Sequence, residues 1–226
     1  MDVELVFDPS LLPSPVRVAV VAAGRIAPPS TGAPAPSGLP ALLRRVAAEG
    51  VAVWPEGRRE RVRDMLRHGR FHPTGRSKPS SEFLLGAAVR GEFPLVNGPV
   101  DVNNQVSLET GFPASVFDAD RTGPRLLLRR GRPGESYVFN RAGQAIDLVD
   151  LLVVCRGAEE DAEPCGNPVK DAMATKVDGE TRRLVAVVYA PAADPPGDLD
   201  GAAARYAQLL AERCGAGDLT VHVVPP

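Results

Sequence analysis

The stretch Val100-Asp-Val-Asn-Asn-Gln-Val-Ser-Leu-Glu-Thr-Gly-Phe-Pro-Ala-Ser-Val-Phe-Asp118 carries more amide and carboxylate side chains than a purely structural segment requires. Asp101 is of a residue type that caps helices, Gly111 is of the type that follows them, and valines recur one turn apart between the two. The pattern therefore predicts a short helix over residues 102–110.

Two adjacent asparagines, Asn103 and Asn104, would lie in the first turn of this helix. Asparagine is a poor helix former, and the free backbone N–H groups and positive dipole end of a first turn collect polar ligands. Both asparagines are therefore candidates for a binding site. Simple capping of the helix remains the alternative.

A second polar segment runs Gly166-Asn-Pro-Val-Lys-Asp-Ala-Met-Ala-Thr-Lys176. Lys170 next to Asp171, bracketed by Gly-Asn-Pro and Thr-Lys, suits a turn whose side chains and N–H groups converge on a ligand. A capped turn that leads into a strand would explain the same residues. If this turn and the predicted helix share one site, Asn104 and Asp171 should be neighbours, because both side chains would be costly to bury without partners.

Apolar periodicity and turn residues predict the remaining elements. Helices are expected at 39–49, 56–68, 79–91, 102–110 and 202–214. Strands are expected at 4–7, 16–22, 115–118, 125–130, 136–139, 148–155, 174–177, 184–189 and 219–224. Loops rich in proline or acidic residues are expected at 27–40, 159–163 and 191–201. The sum is an α/β (α+β) chain with a sizeable sheet.

Bulk composition limits the possible functions. The 226 residues, of which 44% are hydrophobic and 24% charged, suit a single domain over 1–226 with a surface loop at 27–40. No apolar run is long enough to cross a membrane, and the acidic N-terminus shows no signal peptide, so a cytoplasmic location without membrane contact is expected. The three cysteines contain no C-x-x-C pair, and each of the three histidines has a structural or exposed interpretation, so no metal site, disulfide framework or cofactor is predicted.

Positive charge is concentrated in residues 57–70, which contain six arginines. A solvated helix face is one explanation of this segment, and contact with an RNA backbone is the other. The candidates for RNA contact are Arg58, Arg59, Arg61 and Arg63. The net charge of −2 argues against a dedicated DNA-binding domain, which would normally be basic.

Several motifs, in the right order, resemble a known family. The segment 100–118, preceded by Lys78-Pro-Ser-Ser-Glu-Phe-Leu-Leu85 and followed by Leu126-Leu-Leu-Arg129 and Gly134-Glu135, resembles the B3/B4 domain of the phenylalanyl-tRNA synthetase β subunit. That domain is the editing module of the synthetase, and free-standing bacterial B3/B4 proteins are similar. The resemblance is strongest over 70–190. It implies a single B3/B4-like domain with a mixed β-sheet core flanked by helices.

The resemblance also assigns roles to individual residues. Asn104 matches the asparagine of the synthetase motif, and Asn103 stands where a threonine is usual. Ser115 replaces a histidine that lies against the bound aminoacyl group. Residues 167–171 replace the glycines that wall the amino-acid pocket, which implies a more polar rim and a substrate other than tyrosine. Glu135 matches the glutamate of the family's Gly-Glu turn.

Three functions are compatible with these residues. The leading hypothesis is a trans-editing deacylase that hydrolyses a mischarged aminoacyl-tRNA with a positioned water, because no GxSxG, HExxH or phosphate-loop signature is present. Asn104, Ser115 and Asp171 are the candidate catalytic residues, with Asp171 or Glu135 orienting the α-amino group or the water. The candidate substrate-binding residues are Asn103, Glu135, Gly166, Asn167, Lys170 and Thr175.

The alternatives keep the same site but change its chemistry. One is a non-catalytic module that binds tRNA or a small amino-acid-like ligand, which the missing histidine and the acidic net charge favour. The other is hydrolysis of a small amino-acid ester or amide without tRNA.

Overall fold

The computed structural model describes residues 1–30, 32, 35–157 and 162–224 of the chain. Its helices are α1 (Leu39–Glu49), α2 (Arg58–Leu66), α3 (Ser80–Val89), α4 (Gly98–Thr110), α5 (Ala119–Thr122) and α6 (Pro196–Cys214). Its strands are β1 (Glu4–Phe7), β2 (Val16–Arg25), β3 (Ala114–Asp118), β4 (Arg125–Arg130), β5 (Ser136–Val138), β6 (Ala145–Asp147), β7 (Leu152–Arg156), β8 (Glu163–Gly166), β9 (Leu184–Pro191) and β10 (Gly217–Val224). The expected α+β class is confirmed.

The strands form two four-stranded sheets and a hairpin rather than one large sheet. The first sheet has the order β1-β4-β7-β8 and is mixed, because β1 runs parallel to β4 while the other pairs are antiparallel. The second has the order β10-β2-β9-β3 and is antiparallel throughout. The hairpin consists of β5 and β6. Of the two N-terminal strands, β1 thus belongs to the first sheet and β2 to the second.

The core is continuous between the two sheets. All eight residues of β9 are buried, as expected for a strand that is covered on both faces. One cluster of buried apolar side chains joins β1, β4 and β7 of the first sheet to β2, β3 and β9 of the second, and it includes residues of α2, α4 and α6. This packing agrees with one folding unit, and the extent of the domain over 1–226 stays a prediction.

Three segments differ from the expected elements. The strand expected at 148–155 is shorter because Asp150 has φ of 64°, which ends the ladder before β7 begins. The strand expected at 174–177 is a 3-10 turn over Met173–Thr175, which hydrogen bonds to Cys165 hold against β8. The loop expected at 191–201 contains the start of α6, since Pro196 occupies a first-turn position that needs no N–H donor.

Two expected loops are described only in part. Residues 31, 33 and 34 of the loop at 27–40, and residues 159–161 of the acidic loop at 159–163, lie outside the described ranges. Glu163, at the end of the acidic loop, is the first residue of β8, a strand that the sequence did not predict. Among the described helices, none has both the length and the apolar character that a membrane crossing requires.

Candidate functional site

The polar helix α4 begins earlier than its sequence pattern predicted. Its N-cap is Asn97, whose side chain accepts a hydrogen bond from the N–H of Val100 at 3.1 Å, and Asp101 lies inside the first turn. The prediction that Asn103 and Asn104 occupy the first turn was therefore wrong, and their backbone N–H groups are not free for a ligand. Gly111 does end the helix, with φ of 77°.

The two asparagines of α4 have different environments. Asn103 is buried, its amide donates to the carbonyl of Ala114 at 3.2 Å, and its oxygen accepts from the Tyr206 hydroxyl at 3.1 Å. Asn104 lies about 100° further around the helix. It is partly exposed, and its side chain makes no hydrogen bond within the described ranges. Asn103 thus has a structural role, and Asn104 is the asparagine left available to a ligand.

The turn after β8 is organised by Asn167. Its side-chain oxygen accepts from the N–H groups of Val169 and Lys170, both at 2.8 Å, and its amide donates to the Tyr137 hydroxyl at 2.5 Å. Tyr137 in turn donates to the carbonyl of Lys170 at 2.6 Å. Both ends of the Asn167 side chain are therefore used to shape the turn, which is the capped-turn alternative considered for this segment.

Asp171 is held beneath this turn with one oxygen unpartnered. Oδ2 accepts from the N–H of Val116 at 3.3 Å, while Oδ1 is buried and has no hydrogen-bond partner in the described structure. A Cβ at Gly166 would lie 2.4 Å from the ring of Phe117 and 2.7 Å from Asp171 Oδ1. Glycine is therefore required at 166 by packing rather than by ligand contact.

Ser115 lies between the helix and the turn. Its hydroxyl shares a hydrogen bond with the Tyr189 hydroxyl at 3.0 Å and lies 3.4 Å from the carbonyl of Asn167. Strand β3 is thus approached from two directions, by Asn103 at Ala114 and by Asp171 at Val116. We call the residues of this group the Asp171 cluster; they are Ser115, Tyr137, Asn167, Asp171 and Tyr189.

The ionisation of Asp171 is strongly perturbed. Burial raises the pKa of its carboxyl from 3.8 to about 7, although the neighbouring Ser115, Val116 and Asn167 and the charge of Lys176 act in the opposite direction. Asp171 is consequently about half ionised near neutral pH. A carboxylate with this pKa can accept a proton from water and release it again.

The raised pKa predicts a pH-dependent effect of Asp171→Asn on stability. A carboxyl whose pKa is higher in the folded than in the unfolded protein stabilises the fold below its unfolded pKa, and this contribution is lost as the pH rises through about 7. The shift corresponds to at most about 4 kcal/mol. The measured quantity is the free energy of unfolding of Asp171→Asn minus that of wild type. We expect this difference to be larger at pH 8 than at pH 4, by up to this amount. Urea denaturation at both pH values measures it, and a constant difference would contradict the raised pKa.

Comparison with known proteins identifies the family. Residues 72–194, more than half of the chain, match the family described as the B3/4 domain. The chain belongs to the B3/4 domain family. Curated relatives include the phenylalanine–tRNA ligase beta subunits of Streptococcus mutans, 31% identical over 109 residues, and of Bordetella pertussis, 36% identical over 112 residues. These matches cover 48% and 49% of this chain but only 13% of each relative.

A solved structure extends the likeness of this B3/4 protein to its whole fold. It is similar to an N-terminal fragment of the phenylalanyl-tRNA synthetase beta-subunit from Pyrococcus horikoshii, with a TM-score of 0.50 and 10% sequence identity. The alignment covers 100% of this chain and 55% of that chain. At this identity the likeness is one of fold alone.

Other predicted binding residues of the B3/4 domain are engaged in structural contacts. Glu135 forms a bidentate ion pair with Arg129, in which two guanidinium nitrogens donate to the two carboxylate oxygens at 2.8 and 2.6 Å. Thr175 is buried and donates to the carbonyl of Cys165 at 3.2 Å. The ammonium group of Lys170 lies 3.8 Å from the centre of the Phe139 ring. Of the three, Thr175 is buried, whereas Glu135 and Lys170 are partly exposed.

The arginines of α2 are paired with carboxylates. Arg58 is only 3% exposed and pairs with Asp194 at 2.9 Å and with Asp198 at 2.5 Å, so its assignment to tRNA contact is corrected to a structural role. Arg61 also pairs with Asp194. The remaining two candidates, Arg59 and Arg63, pair with Glu60 and Glu82 respectively.

Sequence reasoning missed both tyrosines of the Asp171 cluster. Tyr137 and Tyr189 lie on β5 and β9, and they meet Asn167 and Ser115 only through the tertiary fold. No signal in the sequence distinguishes them from ordinary strand tyrosines. Among the residues that the structure describes, no group of three or more His, Cys, Asp or Glu side chains is arranged to hold a metal ion.

Proposed function

We propose that this B3/4 domain hydrolyses the ester bond of a mischarged aminoacyl-tRNA by means of a water molecule held at Asp171. The observation that carries the proposal is the buried, unpartnered Oδ1 of Asp171, whose pKa is about 7, next to strand β3. A buried carboxylate oxygen without a partner is costly unless a ligand or water completes it. The tRNA part of the substrate rests on the relatives, which are named as subunits of a tRNA ligase.

The proposed reaction needs only one base and one oxyanion donor. Water donates a proton to ionised Asp171 while its oxygen attacks the ester carbonyl, and the tetrahedral intermediate then expels the ribose oxygen, which takes the proton back from Asp171. The products are the free amino acid and the tRNA. The unpaired amide of Asn104 would donate to the developing oxyanion. An aminoacyl ester is already activated, so positioning supplies much of the catalysis.

Ser115 has a positioning role in this scheme. Its hydroxyl hydrogen-bonds the Tyr189 hydroxyl, and Ser115 lowers the pKa of the Asp171 carboxyl, which favours its ionised form. Ser115 therefore helps to set the charge of the carboxylate, without a nucleophilic step.

A second candidate is a non-catalytic module that binds tRNA or an amino-acid-like ligand. It is favoured by the internal hydrogen bonds of Ser115, Asn167 and Thr175, which leave few of the predicted site residues free to contact a substrate. Binding would then depend on Asp171 and Lys170 without turnover.

Incubation with a panel of correctly charged and mischarged aminoacyl-tRNAs separates the two candidates. The measurement is the release of labelled amino acid at enzyme concentrations below that of the tRNA. We expect multiple turnovers with at least one mischarged species. Saturable binding of the same species without any release would favour the module.

The neighbouring asparagines offer a matched pair of variants. Asn104→Ala should lower the hydrolysis rate by about 10²-fold, the scale for one lost oxyanion donor, and should change the free energy of unfolding by less than about 0.5 kcal/mol. Asn103→Ala should instead lower the free energy of unfolding by about 2–3 kcal/mol, because it leaves the Tyr206 hydroxyl and the Ala114 carbonyl without partners. Full activity in Asn104→Ala would remove that residue from the mechanism.

A further inference from the structure

Two of the chain's three lysines meet beside the Asp171 cluster, and the third lies in a neighbouring segment. The ammonium groups of Lys170 and Lys176 both reach Phe139, one over its ring at 3.8 Å and the other donating to its carbonyl at 2.5 Å. Lys78 lies two residues before Ser80, whose N–H donates to the carbonyl of Pro168 at 2.8 Å, so its segment adjoins the same turn.

Two exposed arginines extend this group. Arg76 precedes Lys78 and is near enough to Lys170 to act on its charge, and Arg141 follows Phe139 and acts on Lys176 in the same way. We call these five residues the basic rim; they are Arg76, Lys78, Arg141, Lys170 and Lys176.

The basic rim differs from the other cationic segment in making no direct ion pairs, although Asp171 lies close enough to Lys176 to act on its charge. Arg58, Arg59, Arg61 and Arg63 on α2 all pair with carboxylates, whereas no residue of the rim forms an ion pair with an Asp or Glu of the described residues. Paired arginines offer little net attraction to a polyanion, and unpaired cations grouped around one site offer the most.

Burial is the main influence on the ionisation of the rim lysines. Burial lowers the pKa of Lys170, and the neighbouring Arg76 lowers it further. Burial also lowers the pKa of Lys176, where Asp171 opposes the shift and Arg141 adds a smaller effect in the same direction as burial. Phosphate groups bound at the rim would relieve the repulsion that Arg76 and Arg141 exert on these lysines.

We propose that the basic rim binds the phosphodiester groups at the 3′ end of an RNA and thereby places the terminal ribose over Asp171. This inference rests on the proposed function, in which the scissile ester is attached to that ribose. The nearest anions of such a substrate are the phosphates of its last nucleotides, which is where the rim supplies cations. The arginines of α2, by contrast, form ion pairs with carboxylates of the protein itself.

Two double variants with the same change in charge test the rim. Arg76→Glu/Arg141→Glu alters two exposed rim residues. Arg59→Glu/Arg67→Glu alters two arginines of the α2 segment, of which Arg59 is partly exposed and Arg67 is exposed. Binding of deacylated tRNA is measured by fluorescence anisotropy over a range of salt concentrations. The rim variant should bind tRNA at least about 10-fold more weakly. The slope of the logarithm of its binding constant against the logarithm of the salt concentration should be smaller in magnitude by about 1.4, since each single-strand phosphate contact contributes about 0.7. The α2 variant should bind within about twofold of wild type.

The outcomes separate the rim from the proposed hydrolysis. Equal losses in both variants, a larger loss in the α2 variant, or no tRNA binding by wild type would overturn the rim. Inorganic phosphate at millimolar concentration is tested as a competitor of tRNA binding. If it competes as strongly as tRNA does at the same concentration of phosphate groups, the rim is a free-anion site instead of an RNA surface. Rim-dependent tRNA binding without ester hydrolysis would retain the rim and reject the proposed function. Thermal unfolding of both double variants shows whether misfolding causes a loss of tRNA binding. The single variant Arg141→Glu, in an exposed hairpin turn, provides a second check on misfolding.

Discussion

Asp171→Asn should lower the rate of aminoacyl-ester hydrolysis by about 10²–10⁴-fold at pH 7.5, the range for loss of a positioned general base. An amide has nearly the same shape as the carboxyl, so it can still accept the hydrogen bond from Val116 while being unable to take a proton from water. The measurement is single-turnover release of amino acid from the best substrate of the panel.

Asp178→Asn is the matched control for that substitution. Asp178 lies seven residues further along the chain and pairs with Arg121 at 2.5 Å, at a partly exposed position. Its amide variant should retain wild-type rates. Urea denaturation of Asp171→Asn at pH 7.5 checks that a lower rate there is not caused by unfolding. A loss of less than about threefold would exclude Asp171 as the base.

Arg58→Ala should lower the free energy of unfolding by about 3–5 kcal/mol, since it removes one partner of a buried ionic network. The guanidinium pairs with Asp194 and Asp198, donates to the carbonyl of Thr110 at 2.7 Å, and lies 4.1 Å from the centre of the Phe112 ring. The side chain of Asp194 is fully buried, so it would keep only Arg61 as a compensating charge. Urea denaturation measures the loss.

Arg59→Ala is the control for this stability effect. Arg59 is partly exposed and pairs with the adjacent Glu60, an interaction that contributes less than about 1 kcal/mol. Near-equal stabilities for the two alanine variants would contradict the structural role of Arg58 and return it to the candidates for RNA contact.

Local chemistry explains which parts of the fold were predictable. Gly111 was placed correctly because a helix end needs a residue with positive φ, and β4 was predicted with its observed bounds because its apolar run is flanked by turn residues. The start of α4 was missed because Asp101 and Asn97 are both good capping residues, and only the structure shows which one caps.

The candidate site was less predictable because its contacts are distant in sequence. Whether Asn103 or Asn104 is buried depends on the rotation of α4 relative to β3 and α6, which no local pattern sets. The partner of Arg61 is 133 positions away, so a segment that suggests an RNA contact in sequence is neutralised in the fold. The proximity of Asn104 to Asp171 stays a prediction, because the side chain of α4 that contacts β3 is that of Asn103.

The pH dependence of single-turnover hydrolysis is the most direct test of the Asp171 mechanism. For wild type, the account predicts a rate that rises tenfold per pH unit below about pH 6 and levels off above about 7, as Asp171 loses its proton. Asp171→Asn should show a low rate without this inflection. A wild-type profile without an inflection between pH 6 and 8, or the same inflection in Asp171→Asn, would contradict it.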